Sequence, residues 1–133
     1  MTLEPFGFTA LSIEGNLAYE PSDIVVFSYI LTNVGGYYNA DTSVFVCPVS
    51  GIYVFTLSIV TPSYNSIAHI MLNDRRLVAT KNHIDNHGHG STFAVTECLI
   101  NNKVWVQMQT NSIVTGTITD KYTAFSGFVS VIY

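Results

Sequence analysis

Residues 82–91, NHIDNHGHGS, contain three of the chain's four histidines, His83, His87 and His89. Side chains two apart, such as His87 and His89, point the same way on an extended strand. Neutral imidazole is also the commonest transition-metal ligand. One chain supplies too few ligands here at a recognised spacing. The segment therefore reads either as a soluble turn, rich in the Asn, Asp and Gly that turns favour, or as part of a site that other chains complete. A second candidate is Arg75 with Arg76, the only adjacent basic pair, directly after Asn73 and Asp74. The planar guanidinium fork matches a carboxylate, so an acidic sugar or carboxylate is the ligand such a pair would meet. Other turn-rich stretches offer Tyr37, Tyr38, Asn39, Tyr64 and Asn65, aromatic faces and amides of the kind that hold sugars. Residues 73–76 read equally well as an ordinary hairpin turn with solvated charges. No Gly-x-Ser-x-Gly elbow, phosphate loop, HExxH or dinucleotide fingerprint occurs, so no enzyme is expected.

These residues must be positioned by strands. The runs at 6–13, 24–32, 43–49, 51–60, 66–73, 91–100, 103–111 and 124–133 are rich in Val, Ile, Phe, Tyr and Thr, the residues that suit a pleated surface. Between them lie Asn33 with Gly35 and Gly36, Pro48, Gly51, Pro62, Asn73 with Asp74, and Asn101 with Asn102. No amphipathic helical period appears. Many short strands in one small domain predict an all-β antiparallel sandwich. Within 51–60, Tyr53, Phe55, Leu57 and Ile59 share one face, and Ile52, Val54, Ser58 and Val60 share the other. The last run likewise sets Phe125, Val129, Val131 and Tyr133 against Ser126, Phe128, Ser130 and Ile132. A sheet with one wet face alternates apolar with polar residues. These strands instead look covered on both sides.

Composition points the same way. The 133 residues suit one domain spanning 1–133, with a core large enough to need no staples. Only 11% are charged and 48% are apolar, which leaves little ionic surface for a solitary molecule. The longest nearly apolar run, IYVFTLSIV, is far too short to span a bilayer as a helix. The deficit therefore favours a large interface between chains over membrane insertion. A net charge of −4 without a basic stripe argues against nucleic acid. It also disfavours an anionic membrane surface. MTLEPFGF has neither the basic segment nor the apolar core of a secretory signal, so an exported protein would have lost its signal.

The succession TNVGGYYN (32–39), SVFVCPVSGIYVF (43–55), KVWVQM (103–108) and FSGFVSV (125–131) closely resembles the globular head domain of complement C1q, from about Phe6 to the C-terminus. The resemblance implies a ten-stranded jelly roll like that of tumour necrosis factor, assembled as a homotrimer and secreted. It places Tyr53, Phe55, Trp105, Phe125 and Phe128 in the core or trimer interface. It sets residues 82–91 near the trimer apex, where relatives bind calcium through Asp. Asp85, His87 and His89 are then the candidate ligands of a calcium or zinc ion there, although the hard oxygen donors that calcium prefers are depleted. Two departures from the family pattern are Asn101–Asn102, where Gly-Asp is usual, and Ser43, where Gly is common. Cys47 stands where relatives carry Cys. Cys47 and Cys98 are expected as separate buried thiols, a bridge remaining open. Two functions follow from the resemblance. One is lectin-like recognition of microbial or acidic glycans in innate immunity, with Tyr37, Tyr38, Tyr64, Asn73, Asp74, Arg75 and Arg76 as ligand contacts. The other is an extracellular ligand or assembly head that binds a receptor.

Overall fold

The computed structural model describes residues 6–62, 65–83 and 88–133. Its regular elements are twelve strands. They are β1 (Gly7–Leu11), β2 (Gly15–Tyr19), β3 (Tyr29–Val34), β4 (Tyr38–Asn39), β5 (Val44–Val46), β6 (Gly51–Val60), β7 (Ser66–Leu72), β8 (Arg75–Asn82), β9 (His89–Cys98), β10 (Lys103–Met108), β11 (Ser112–Gly116) and β12 (Ala124–Ile132). One sheet has seven strands and the other runs β4-β5-β10-β7-β8. In the seven-stranded sheet β3, β1, β12, β6 and β9 follow one another through antiparallel pairs. β2 and β11 form a ribbon that joins β6 only at Thr115 opposite Val60. Without that ribbon the remaining strands make the two facing sheets of the jelly roll.

The core lies between the sheets and follows from alternation. Tyr53, Phe55, Leu57 and Ile59 of β6 point inward, as do Val104, Val106 and Met108 of β10. Phe8 stacks on Tyr38 at 4.6 Å and meets Phe125 edge-on at 5.1 Å, so β1, β4 and β12 share one aromatic cluster. Gly127 faces this cluster, and a Cβ there would fall 2.5 Å from the Phe55 ring. The strand can approach that ring only as glycine. Cys47 and Cys98 are both fully buried and unbridged. The Cys47 thiol donates to the Val49 carbonyl at 3.1 Å and lies 3.6 Å from the Cys98 carbonyl oxygen. Burial, with Cys47 beside it, pushes the Cys98 thiol pKa up.

Several local features depart from the sequence expectations, among them β2, β4 and β11, which lie outside every run read as a strand. Residues 24–32 are not one strand: Ile24 bridges Gln107, and the regular strand begins only at Tyr29. β8 was not anticipated as a strand, and it gives the Asn73–Asp74 turn its second arm. In β12 a bulge between Val129 and Val131 moves Val131 opposite Ile52. Val131 and Phe128 therefore share a face that strict alternation assigned to opposite sides.

Candidate functional site

The outer face of the seven-stranded sheet is built from rows of paired residues. Val34, Gly7, Phe128, Val54 and Val95 form one continuous row across β3, β1, β12, β6 and β9. Thr32, Thr9, Ser126, Thr56 and Phe93 form the next, and the Thr9 and Ser126 hydroxyls hydrogen-bond at 2.9 Å. Phe93 is 65% exposed, Val95 62%, Val131 53% and Phe128 50%, a contiguous apolar patch of the kind that marks an interface. The absence of a side chain at Gly7 leaves a shallow groove of about 320 Å³ beside Phe128, walled by Phe6 and Val34. His89 and Glu97 are the only His, Asp, Glu, Lys or Arg residues on the five strands of this face, and they lie at opposite ends. His89 bonds the Ser58 hydroxyl through Nε2 at 3.1 Å, and the Glu97 carboxylate accepts from the Tyr133 hydroxyl at 2.5 Å. Glu97 raises the Tyr133 phenol pKa through that bond.

Of the sequence's first candidate segment, Asn82 and Gly88 are held firmly against the end of β6. Asn82 is 1% exposed, and its amide donates to the Ile59 carbonyl, the Thr61 hydroxyl and the Gly88 carbonyl at 3.0–3.2 Å. Its Oδ1 accepts from the Thr80 hydroxyl at 2.8 Å. The Thr61 amide and hydroxyl both reach the Gly88 carbonyl. Gly88 has φ +65° and no room for a Cβ, which would fall 2.1 Å from the Thr61 carbonyl oxygen. His89 is the first residue of β9 and is exposed, whereas Asp85 and His87 lie outside the described residues. Among the described residues no three His, Cys, Asp or Glu side chains gather as a metal centre.

The proposed ligand contacts do not form one site. Tyr38 is corrected outright: it is 3% exposed, stacks on Phe8, and its hydroxyl donates to the Phe27 carbonyl at 2.6 Å. Burial pushes its phenol up to about 12. Tyr37 is exposed and packs edge-on against Phe6. Tyr64 lies outside the described residues. Asn73 takes φ 51° and its Oδ1 accepts from the Lys103 amide at 2.9 Å, so it shapes the turn. Asp74, Arg75 and Arg76 are exposed. β4 and β8 are opposite edges of the five-stranded sheet, about 20 Å apart at ordinary strand spacing. Tyr37 and Arg76 are thus separate surfaces.

The core-or-interface set divides similarly. Tyr53, Phe55 and Phe125 are core, fully buried. Phe128 is outside the core, on the apolar face. Trp105 is not in the core: Val104 and Val106 point inward, so alternation turns Trp105 out on the far side of the five-stranded sheet, half-buried. Its indole N–H donates to Gln107 Oε1 at 3.2 Å. The resemblance allowed a core position; the register of β10 excludes it.

A sandwich with this strand order and these paired rows belongs to the jelly rolls shared by complement and tumour necrosis factor heads. Residues 7–130 match the family described as C1q domain, and the chain is a member of that family. Among curated relatives, it is 30% identical over 112 residues to mouse complement C1q and tumor necrosis factor-related protein 9, covering 82% of this chain and 34% of that protein. It is 32% identical over 85 residues to human complement C1q tumor necrosis factor-related protein 2, covering 63% of this chain and 30% of that protein. The chain thus spans about a third of the length of such relatives. Among solved structures, the globular domain of zebrafish complement 1qA aligns with TM-score 0.78 at 18% identity, covering 96% of this chain and 99% of that one. Eiger TNF from S. frugiperda aligns at 0.72 with 12% identity, covering 95% and 90%. No helix of the described residues is long and apolar enough to cross a membrane.

Proposed function

We propose that the chain is the trimerising head of a secreted recognition protein, lectin-like in its use and directed at microbial or acidic glycans in innate immunity. The observation that carries the reading is the outer face of the seven-stranded sheet. Phe93, Val95, Phe128 and Val131 stand exposed there, with His89 and Glu97 only at its two ends. Buried against two further copies, that face supplies the missing second cover of β6 and β12. The five-stranded sheets then point outward, where ligand meets three sites at once and avidity multiplies weak individual contacts. Membership of the C1q domain family supports this arrangement. The reading assigns no reaction to the chain.

A second reading, a protein ligand that engages a receptor, is favoured by the likeness to Eiger TNF. The two are separated with purified protein. Sedimentation equilibrium is expected to give three chain masses at micromolar concentration, and a single-chain mass overturns the head reading. On a glycan array the lectin reading expects saturable binding competed by free sugar. Silence on glycans, with capture of one cell-surface protein, replaces it with the receptor ligand.

A further inference from the structure

Four of the chain's five Lys and Arg residues lie on two strands of one sheet: Arg75, Arg76 and Lys81 on β8, and Lys103 on β10. The protein as a whole is acidic, at −4, so this sheet is cationic against the trend of the molecule. The pairing Trp105–Met71–Arg76 places the indole and the Arg76 guanidinium on the same outward face, two strands apart, about 10 Å. The next row runs Gln107–His69–Ala79, and Lys81 pairs with Ile67 one row further. Lys103, two residues before Trp105, closes the other end. Asp74 sits at the turn beyond Arg75, and Asp23 lies near the far end of β10, where its carbonyl accepts from the Met108 amide. No acidic residue belongs to β7, β8 or β10. Among the described residues none of the four cations is held in an ion pair.

We infer that this face binds an anionic oligosaccharide, carboxylated or sulfated, with one ring against Trp105 and its acid groups on Arg76, Lys81 and Lys103. The inference deepens the lectin reading and rests on it. Polyanion charge complements the unpaired cations, and guanidinium forks hold carboxylate or sulfate bidentately. What selects a sugar over an acidic peptide is the rest of the surface. The indole offers a flat apolar face of the kind a sugar's C–H groups cover, with its N–H already tied to Gln107. Gln107 and His69 supply amide and imidazole groups for hydroxyls, and His69 is oriented by its bond to Gln109.

Trp105 is the only tryptophan, so its fluorescence reports this face alone. A sulfated heparin oligosaccharide is titrated into the purified protein, with its desulfated counterpart, polyglutamate and a DNA duplex as comparators. Saturable quenching or a blue shift is expected for the sulfated sugar and not for the desulfated one. Arg76→Ser and Lys81→Ser, both exposed and safe for folding, should each weaken binding about tenfold. Lys121→Gln, the one Lys or Arg off this sheet, should leave it within about twofold. No fluorescence response, an equal loss with Lys121→Gln, or an equal response to polyglutamate or DNA overturns the site. Sugar binding on the array that survives Arg76→Ser and Lys81→Ser leaves the lectin reading intact and places its site elsewhere. No glycan binding of any kind removes both.

Discussion

Tyr38 shows what one residue contributes and why its role was hidden. In TNVGGYYN it sits among turn formers, and the partners that bury it, Phe8 and Phe27, are far along the chain. Its phenol is held neutral by burial, with a pKa of about 12 against an ordinary 10. A raised acid pKa in the fold means stability that is complete below pH 10 and lost as pH climbs toward 12, because the unfolded chain releases the proton first. The loss expected from Tyr38 is about 2 kcal/mol. Burial shifts Tyr53 and Cys98 in the same direction, which steepens the decline. Urea midpoints measured from pH 8 to about 11.5 should fall across that window and fall less in Tyr38→Phe. Ser43 was more legible. The family's frequent glycine at that position matches the φ of 58° found here, and the hydroxyl adds an acceptor for the buried Phe27 amide at 3.0 Å.

At the level of strands, patterning succeeded where one face was aromatic and failed where the inward residues were small or polar. β6, β9, β10 and β12 were legible because their inward positions are large or their runs are long. β8 was missed because RRLVATKN turns Val78, Thr80 and Asn82 inward, and only the first of these is apolar. Asn82 is nonetheless the residue that ties β8 to the ends of β6 and β9, through three donated bonds and one accepted bond. Asn82→Ala leaves the Gly88 and Ile59 carbonyls and the Thr80 hydroxyl without this partner in a dry site. The expected cost is about 2–3 kcal/mol, read as a drop in the unfolding midpoint. An unchanged midpoint would show that water replaces the amide. Asn82 and Gly88 are thus held against the ends of β6 and β9 by their own hydrogen bonds.

For the molecule as a whole, the shortage of charge was the most informative property of the sequence. It pointed to strands covered on both faces, and the structure leaves Phe93, Val95, Phe128 and Val131 exposed together on the outer face of the seven-stranded sheet. The distribution of the few cations was not legible, because Arg75, Arg76, Lys81 and Lys103 become neighbours only when β7, β8 and β10 pair. Phe93 is the test of the apolar face. In the proposed trimer, Phe93→Asp would remove about 2 kcal/mol of aromatic burial at each contact and place a charge in an apolar seam. Scattering mass should fall from three chains to one while the circular dichroism of the sheets persists; a trimer that tolerates the aspartate would place the interface elsewhere. The two cysteines carry a different consequence. Each is sealed inside the sandwich, and burial keeps the Cys98 thiol protonated, a form that does not attack electrophiles. Cys98 can react with an alkylating reagent only when the sheets part, so its rate of modification counts how often the folded molecule opens.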